Sequence, residues 1–432
     1  MVANIGGRRG RAVARSAVLL VTAGMALSVP GAVPEQPALV SFASTDGAQP
    51  PPEPTPPPGT ESAGSVLSGI TPAAPVAPGV THREFTTTRA AGQVRGDVVE
   101  VDLTAPGVRL GLLTAGAVTA RASVPVMADR AGAQAAINGD YFDLGRSNAP
   151  AGPEVQDGRP VKSAVPQGRR AAPAVPGAET DRVFAVGTDG VARIDTLPLV
   201  AEVETPGETL PIRALNQHAV PVGGIGIVTP EFGGADRART LCGSDTDRDA
   251  PCAPDTVEVA TSDGKVTAVR PPGKDGIKPG ETLLLGREQG AAALRALKVG
   301  DDVDVRWELV AASGVAPRTA VGGSPILAGG KRTERLDDSA RAPRSGVGIF
   351  PGGRRVQLVT VDGRESTSVG LTLAQMSDLL AQLGATDGIN LDGGGSSTLA
   401  YRAAGAGKVA IVNNPSDDAT RLVPNGLGVF GG

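Results

Sequence analysis

The chain has few of the side chains from which metal sites and nucleophilic triads are usually built. It contains two cysteines and only two histidines, His82 and His218. Zinc and iron sites usually combine several of these side chains, so histidine-rich metal sites are excluded. A Ser-His-Asp triad would have to use one of the two histidines, and neither stands in a Gly-x-Ser-x-Gly context. Carboxylates, hydroxyls and arginines remain as candidates for chemistry.

Aromatic residues and net charge are also scarce. Aromatics make up 2% of the 432 residues, and the formal net charge is −4, from 41 basic and 45 acidic residues. No half of the chain is strongly basic, which argues against a nucleic-acid-binding surface. There is no Walker A sequence, and residues 222–228 resemble a dinucleotide-binding loop only faintly, because no strand, loop and helix surround them. The 60 glycines and 37 prolines suit short strands joined by many turns.

Residues 1–32 have the layout of an export signal, with an apolar run, AVLLVTAGMALSV, before small residues near Ala32. The run is preceded by a basic start formed by Arg8, Arg9, Arg11 and Arg15. It is shorter than the ~20 apolar residues that span a bilayer. No stable membrane span is therefore expected after cleavage, and an uncleaved short anchor is the alternative. Residues 33–81 are rich in Pro, Ser, Thr and Gly and are predicted to form an extended polar tether. The protein is expected to be secreted or held at the cell envelope.

The two cysteines, Cys242 and Cys252, stand close together in CGSDTDRDAPC. In an exported protein, such a pair is expected to form a disulfide that closes a surface loop. The loop carries carboxylates at alternate positions, as calcium loops do, but Ala250 stands where an EF-hand needs Gly and Thr256 where it needs Glu. No cofactor is therefore expected. A divalent cation such as calcium is an alternative that no clear ligand motif supports.

Beyond the tether, three parts of the chain differ in their pattern. Residues 82–182 begin with paired strands and include the short apolar strand AAIN. Residues 183–312 contain strand patterns separated by Asp-Gly and Pro-Gly turns and are predicted to be a β-rich subdomain, inserted or packed. Residues 313–432 hold the most informative motifs. The fold class predicted from these patterns is α/β, with an α+β mixed sheet.

A strand, a helix and a second strand follow one another within residues 355–391. The strand RVQLVTV comes first, and the helix LTLAQMSDLLAQLGA has a Thr372-x-x-Gln375 capping box and an apolar face. The strand GINL follows. A crossover of this kind makes the two strands parallel. Asp362 and Asp392 would then lie at the same sheet edge, where open α/β sheets bind ligands.

A third segment repeats this arrangement. Directly after AAIN come Asn138, Gly139 and Asp140. Three carboxylates, those of Asp140, Asp362 and Asp392, are therefore predicted to gather at one sheet edge. The alternative is that each Asp-Gly pair is an ordinary turn, because both residues are favoured in turns for backbone reasons alone.

The segment NLDGGGSSTLA places three glycines between a carboxylate and three hydroxyls. Gly costs about 0.5–1 kcal/mol inside regular structure, so such a run needs a reason. One reason is a loop whose backbone N–H groups converge on an anion, and a flexible connector is the alternative. The residues of this loop are Gly393, Gly394, Gly395, Ser396 and Ser397.

Two arginines are further candidates for binding the same anion. Arg344 and Arg421 are candidates to pair with a phosphate through their planar guanidinium groups. The alternative for either is a solvated surface charge. Together with the hydroxyls of the loop, they indicate an anionic ligand with hydroxyl groups, such as a sugar phosphate.

The motifs resemble those of the phosphodiester glycosidase family. The segments AINGDYF, AVGGSPIL, APRSGVGIF, LVTVDGR, GLTLAQMSDLLAQLGATDGINLDGGGSSTLA and NNPSDDATRLVPNGLGVF occur in the order found in that family. The similarity spans roughly residues 95–430 and is strongest from residue 317 onward. It implies a phosphodiester-glycosidase-like catalytic domain that hydrolyses the bond between a sugar anomeric carbon and a phosphodiester oxygen. The family pattern maps onto Asn138, Gly139, Arg344, Asp362, residues 390–397 and Arg421.

The sequence departs from the family pattern at two positions. Asp140 stands where the family commonly has the second Gly of Asn-Gly-Gly-Tyr-Phe, and it either alters substrate choice or adds a carboxylate to the site. Ser345 follows Arg344 where the family commonly has Thr. A second copy of the arginine motif, APRTAVGG, contains Arg318, so the sequence does not decide which arginine faces the site.

The sequence therefore predicts an exported hydrolase, of the glycoside hydrolase type, that acts on glycosyl phosphodiesters similar to GlcNAc-1-phosphodiesters. Its expected partner is a glycosyl phosphate or polysaccharide of the envelope or an exopolysaccharide, and its oligomeric state is left open. The candidate catalytic residues are Asp392, Asp362 and Asn138. The candidates for substrate and phosphate binding are Gly139, Asp140, Arg344, Asn390, Gly393, Gly394, Gly395, Ser396, Ser397 and Arg421. Two alternatives are a non-catalytic glycan-binding module and a phosphodiesterase that cuts the P–O bond.

Overall fold

The computed structural model describes residues 67, 69–170, 179–417 and 419–431. All of these belong to one compact unit. The predicted export signal and most of the predicted tether lie outside the described residues. Within the described ranges, no helix combines the length and the apolar character needed to cross a bilayer.

The described chain consists mostly of β-strands, and only 11% of it is helical. The α-helices are Val124–Ala131, Gln289–Leu294 and Leu373–Gln382. The 3₁₀ turns are Gln167–Arg169, Pro230–Phe232, Arg237–Leu241 and Gly394–Ser396. The predicted α/β class is therefore only partly right, because the strands pair with one another far more often than they pack against helices.

The largest sheet has nine strands and contains the strands of the predicted crossover. Its strand order is Gly69–Ile70, Val80–Arg89, Gly92–Asp102, Arg355–Val361, Arg344–Ile349, Asp387–Asn390, Ser324–Ala328 and Lys331–Arg332, with Ala74–Ala77 paired to Val80–Arg89. Every pairing in this sheet is antiparallel.

Four smaller sheets complete the described fold. One has the order Ala410–Ile411, Leu399–Tyr401, Ala135–Asn138, Asn425–Phe430 and Arg109–Thr114. A second has the order Ala192–Thr196, Arg182–Gly187, Pro317–Gly322, Glu154–Gln156 and Arg159–Lys162. The remaining two are Thr209–Pro211, Leu199–Glu204 and Asp304–Leu309, and then Ala214–Leu215, Ile225–Val228, Glu281–Arg287, Thr256–Ser262 and Lys265–Arg270.

The strands predicted between residues 183 and 312 are present, but they are spread over three sheets. One of them, Arg182–Gly187, pairs with Pro317–Gly322 from the C-terminal part. The predicted boundaries of the β-rich subdomain remain a prediction.

The helix Leu373–Gln382 joins two strands that run in the same direction, Arg355–Val361 and Asp387–Asn390. These strands are not neighbours, because Arg344–Ile349 lies between them and pairs antiparallel with both. The sequence pattern requires only that the two strands be parallel. It contains no signal for a third strand entering between them.

The same helix begins at the predicted cap. The hydroxyl of Thr372 accepts a hydrogen bond from the Gln375 N–H (3.1 Å), and the Gln375 side chain accepts one from the Thr372 N–H (3.2 Å). The apolar face of the helix packs on one side of the large sheet through Met376, Leu379 and Leu380. The capping box and the amphipathic face predicted from the sequence are both confirmed.

The opposite side of the large sheet packs against the sheet that contains Ala135–Asn138. Val347 and Leu358 from the large sheet share one core with Ile137, Leu399 and Leu427 from the other, and all five are fully buried. This packing places the end of the strand Ala135–Asn138 next to the edge of the large sheet at which Asp362 and Asp392 lie.

Candidate active site

Strand register places Asp362 and Asp392 on either side of one central strand. Arg344, which begins that strand, lies opposite Val361, and Gly346 lies opposite Asn390. Asp362 comes directly after Val361, and Asp392 comes two residues after Asn390. Both therefore lie at the same edge of the sheet, where their strands end. Because neighbouring strands are about 4.8 Å apart, the Cα atoms of the two acidic residues are separated by roughly 10 Å.

Asn138 ties the second sheet to this edge. Its Nδ2 donates to the Asp392 carbonyl (2.7 Å), and its Oδ1 accepts from the Ser345 hydroxyl (2.7 Å) and the Thr398 N–H (3.0 Å). The residue is fully buried. Asn138 was predicted to be catalytic, but both polar atoms of its side chain are bound to protein atoms. In this structure it holds Asp392 in place.

We expect Asn138→Ala to lower the free energy of unfolding by about 2–4 kcal/mol, because it leaves the Ser345 hydroxyl and the Asp392 carbonyl buried without partners. Urea denaturation measures this change. The matched control is Asn414→Ala, since Asn414 is exposed and its loss should cost at most about 0.5 kcal/mol. Equal costs for the two variants would contradict the part assigned to Asn138.

The glycine loop is closely packed rather than flexible. Gly394–Ser396 forms a 3₁₀ turn, and Gly394 has a φ of +59°, a conformation that favours glycine. A Cβ atom on Gly393 would lie 2.8 Å from the Pro343 carbonyl, and one on Gly395 would collide with the carboxylate of Asp417. The three glycines are therefore needed because neighbouring groups approach their backbone.

The predicted convergence of several loop N–H groups on one anion is not what the structure has. The N–H groups of Gly394, Ser396 and Ser397 donate to the carbonyls of Pro343, Gly393 and Gly394. The N–H of Gly393 is directed to the carboxylate of Asp392 and lowers its pKa. The sequence could not reveal this, because the acceptor at Pro343 comes from a distant segment, just before the strand Arg344–Ile349. The N–H groups of Gly394, Ser396 and Ser397 are therefore used within the protein, and the anion-binding role of the loop stays a prediction.

Asp392 is the most perturbed carboxyl group at this edge. Burial, with a smaller contribution from the charge of Asp140, raises its pKa to about 7. Arg421 opposes this shift, as does the Ser396 hydroxyl, which lies near the carboxylate without the geometry of a full hydrogen bond. A carboxyl group of this kind can exchange a proton near neutral pH.

Asp362 is also perturbed, but less strongly. Burial raises its pKa to about 6, although its carboxylate accepts the Asn414 N–H at 2.9 Å. The nearby charges of Asp97 and Glu365 also raise its pKa. Asn413, the residue before Asn414, donates to the Ser397 carbonyl (3.1 Å), so a single short segment joins Asp362 to the glycine loop.

Three arginines surround the loop. Arg344 donates to the carbonyls of Leu371 (2.9 Å) and Ala340 (2.7 Å). Arg421 is paired with Asp417, with 2.7 Å between Nη2 and Oδ2. Arg364, which was not among the predicted site residues, places its guanidinium 3.2 Å from the position that a Cβ on Gly394 would take.

Arg318 does not belong to this group. It is exposed and borders a separate cavity of about 240 Å³, together with Asp189. A larger cavity of about 460 Å³, lined in part by Gln167 and Arg213, is also separate from the edge. Of the two arginines that share the Ala-Pro-Arg motif, Arg344 lies at the candidate site.

Tyr141 lies at the centre of the site and was missed in the sequence. Asn390 donates to its hydroxyl through Nδ2. Burial raises the Tyr141 pKa to about 12, and the charges of Asp392, Arg170 and Arg344 all act on its hydroxyl. The hydroxyl therefore keeps its proton at neutral pH and can donate a hydrogen bond. An aromatic residue after an apolar strand usually signals core packing, so no sequence pattern distinguished this position.

Asp140, predicted to bind substrate, is instead committed to protein groups. Its carboxylate accepts the N–H groups of Tyr141 (2.8 Å) and Gly152 (2.5 Å), and it pairs with Arg170 at 3.1 Å. Its own N–H donates to Asn425 (3.0 Å). The departure from the family pattern thus adds a buried carboxylate that organises the loop around Tyr141.

Several buried polar atoms at this edge have no hydrogen-bond partner. They are Asn390 Oδ1 and the hydroxyl oxygens of Ser396, Ser397 and Thr398. Buried polar atoms in proteins are nearly always paired, so such a group needs an explanation. A ligand with several hydroxyl groups would supply the missing partners.

The disulfide lies outside this edge. Cys242 and Cys252 are joined, as predicted, with an S–S distance of 2.03 Å. Arg169 secures the loop by donating to the carbonyls of Cys242 (3.1 Å) and Ser244 (2.7 Å). The carboxylate of Asp249 is paired with an arginine, Arg146. Nowhere in the described part of the chain do three His, Cys, Asp or Glu side chains group as metal ligands would.

Known proteins resemble this chain in fold. A protein from Synechocystis, described as hypothetical, aligns with a TM-score of 0.65 and 22% identity over 82% of this chain and 62% of its own length. The chain thus spans less than two thirds of that protein. A Burkholderia pseudomallei protein, named as a candidate exported protein, aligns with a TM-score of 0.64 and 17% identity over 87% of this chain and 99% of its own. At these identities, the likeness shows the fold alone.

One further solved structure aligns only weakly with this chain, and a family model matches part of it. The catalytic domain of zebrafish N-acetylglucosamine-1-phosphodiester alpha-N-acetylglucosaminidase, auto-inhibited by its pro-peptide, aligns with a TM-score of 0.41 and 16% identity over 84% of this chain and 87% of its own. No curated protein matches the chain. Residues 255–430 match the family model described as phosphodiester glycosidase. The resemblance, predicted over roughly residues 95–430, is therefore confirmed for residues 255–430. For residues 95–254 it stays a prediction.

Proposed function

We propose that the protein is an exported hydrolase that cleaves the sugar–phosphate bond of glycosyl phosphodiesters, with GlcNAc-1-phosphodiesters as the type of substrate. The observation that carries this proposal is the Asp392 carboxyl group, whose pKa is raised to about 7, at an edge surrounded by arginines. Proton transfer near neutral pH and the binding of a phosphodiester are the two requirements of this reaction. The family match over residues 255–430 supports the same reaction.

The substrate-binding groups divide by charge. The guanidinium groups of Arg344, Arg364 and Arg421 hold the phosphodiester, whose single negative charge they complement. The hydroxyls of Ser396 and Ser397 are buried without partners and bind the sugar hydroxyls. The glycines of the loop let Pro343, Arg364 and Asp417 pack closely against its backbone, which keeps the arginines and hydroxyls in place.

The carboxyl groups carry the proton transfers. Asp392, protonated near neutral pH, donates a proton to the bridging oxygen as the bond from that oxygen to the anomeric carbon breaks, and the phosphate leaves with the bonding electrons. Water supplies the hydroxyl that bonds to the anomeric carbon, and Asp362 takes the proton that this water loses. A phosphate is already a good leaving group, so the acid contributes less than in an ordinary glycosidase.

Export rests on three observations. Residues 1–32 have the layout of a signal, the chain has a disulfide, and the Burkholderia pseudomallei structure is of a candidate exported protein. Disulfides persist mainly in oxidising compartments outside the cytoplasm. A glycosyl phosphodiester of the cell envelope or of an exopolysaccharide is the substrate that this location favours.

The test is hydrolysis of methyl GlcNAc-1-phosphate in ¹⁸O-labelled water by the purified protein. Release of GlcNAc with the label in its anomeric hydroxyl is the expected result, because the C–O bond is the one that breaks. Label in the phosphate product would instead identify a phosphodiesterase that cuts the P–O bond. Binding without any cleavage would identify a glycan-binding module.

The pH dependence of kcat/KM is expected to be bell-shaped, with a rise near pH 6 and a fall near pH 7. Asp362, with a pKa of about 6, acts only when ionised, so activity rises as the pH passes its pKa. Asp392, with a pKa of about 7, acts only when protonated, so activity falls above its pKa. In Asp362→Asn, the pH profile of the residual kcat/KM should no longer show the rise near pH 6. A profile that stays flat from pH 5 to 8 would contradict these roles.

A further inference from the structure

One arginine next to the site has more hydrogen-bond donors than the protein uses. The side chain of Arg170 is 2% exposed, and its Nη2 pairs with Asp140 at 3.1 Å. Its Nε and Nη1 are buried and have no partner. Arginine has five N–H donors and cannot lose its charge. Burying two of its nitrogens without hydrogen-bond partners therefore lowers the stability of the fold.

Asp140 cannot satisfy Arg170 alone. One of its carboxylate oxygens accepts the Gly152 N–H (2.5 Å), and the other is shared between the Tyr141 N–H (2.8 Å) and Arg170. The pair is therefore joined by a single contact, which fixes the guanidinium and leaves its other donors available. A buried, anchored guanidinium with free donors is the arrangement that proteins use to recognise carboxylates and phosphates.

Arg170 is close to the proposed reaction through Tyr141. Its guanidinium carbon lies 5.2 Å from the centre of the Tyr141 ring, within the range of a cation–π contact. The Tyr141 hydroxyl is bonded by Asn390, two residues before Asp392. Arg170 and Arg344 both act electrostatically on that hydroxyl, so the two guanidinium groups lie near the same side chain.

We propose that Arg170 is a second anion-binding subsite, anchored by Asp140, that binds a carboxylate or phosphate of the substrate other than the scissile phosphodiester. This inference rests on the proposed function, and it narrows the substrate to glycosyl phosphodiesters that carry an additional negative charge. The charge is either on the sugar or on the alcohol beyond the phosphate. Asp140 is a positioning residue in this arrangement.

Three matched diesters test the subsite. They are methyl GlcNAc-1-phosphate, the same diester with a carboxylate-bearing lactyl ether on the sugar, and the same sugar phosphate esterified to an alcohol that ends in a carboxylate. For the wild-type protein, kcat/KM for one of the carboxylate substrates should exceed that for the parent without a carboxylate about ten-fold, as a charge-assisted hydrogen bond provides. The preferred substrate reveals the side on which the second charge is bound.

In Arg170→Gln, the ratio of the two kcat/KM values should fall to about one, and in Arg170→Lys it should fall only in part. Arg318→Gln is the matched control, because Arg318 is exposed and lies away from the site; its ratio should equal that of the wild type. Preference retained in a folded Arg170→Gln would overturn the proposal. Absence of any preference in the wild type would overturn it as well, and that result does not depend on the folding of a variant.

Binding separates this inference from the proposed reaction. Calorimetry with uncleavable phosphonate versions of the three diesters measures the same preference without turnover. If no diester is cleaved but the carboxylate phosphonates bind more tightly through Arg170, the subsite stands and the proposed function fails. If the diesters are cleaved and neither readout shows a preference, the function stands and the subsite fails.

Discussion

Asp392→Asn is expected to lower kcat for methyl GlcNAc-1-phosphate about 10²-fold, at the lower end of the range that positioned acid–base groups contribute, because the phosphate is already a good leaving group. The amide keeps the size of the side chain but cannot donate the proton that the leaving phosphate receives. Steady-state kinetics on the purified variant measures the loss. A variant as active as the wild type would exclude Asp392 as the acid.

The same substitution is expected to stabilise the fold at pH 8, by on the order of 4 kcal/mol. The pKa of Asp392 is about 7 in the folded protein and 3.8 as an unperturbed group. Between these values, the folded state holds a proton that the unfolded state has lost, so rising pH weakens the wild-type protein. Asparagine has no charge to bury, so the gain grows from about pH 4 to pH 7 and then stays constant.

Thermal unfolding at pH 4 and pH 8 checks this gain. Asp275→Asn is the control, because Asp275 is exposed and its substitution should change stability equally little at both pH values. A gain of the same size at pH 4 and pH 8 would mean that the effect of Asp392→Asn does not come from its buried charge. A variant that gains stability and loses activity would show that the buried carboxyl group of Asp392 destabilises the fold but is needed for function.

Gly139→Ala is expected to damage both stability and activity. An added Cβ would collide with the side chain of Asn425 and would lie 3.2 Å from its backbone carbonyl carbon. Asn425 cannot move aside, because it is fully buried, accepts the Asp140 N–H (3.0 Å) and donates to Glu154 (2.5 Å). Overpacking of this kind costs about 1–3 kcal/mol.

The loss of activity follows from the Gly139 carbonyl, which accepts the Asp392 N–H at 2.9 Å. Moving Gly139 therefore moves the proposed acid, and kcat should fall more than stability alone explains. Urea denaturation and kinetics at low temperature separate the two effects. Gly407→Ala is the control, since nothing lies within 4 Å of a Cβ there. If Gly139→Ala were as stable as Gly407→Ala, Asn425 would be able to move away from the added Cβ atom, and the expected collision would be wrong.

Local sequence was sufficient for the elements that depend on neighbours along the chain. The capping box at Thr372, the apolar face of its helix and the flanking strands all follow from spacing over a few residues. The pairing of Cys242 with Cys252 followed because there were no other cysteines. Local signals of this kind arise from backbone hydrogen bonding and side-chain periodicity, which involve residues within a turn or two.

The composition of the site was readable only in part. The motifs brought Asp362, Asp392 and Arg344 into consideration, and strand register places them at one edge. Tyr141 and Arg364 were passed over, because an aromatic after a strand and an arginine after a turn are ordinary in sequence. The role of each residue depends on the side chains that the fold places around it, and no local sequence pattern encodes those neighbours.

The tertiary structure alone decided how these groups are used. Asn138 and Asp392, separated by 254 positions, meet because two sheets share a core, and that contact commits the side-chain amide of Asn138 to the Asp392 carbonyl. The glycine loop, which the sequence indicated as an open anion-binding backbone, is closed by Pro343 and Asp417. Sequence determined which residues arrive at the sheet edge. Packing between distant segments determined which of their atoms remain free, because burial and hydrogen-bond partners are set by whatever the rest of the chain places beside them.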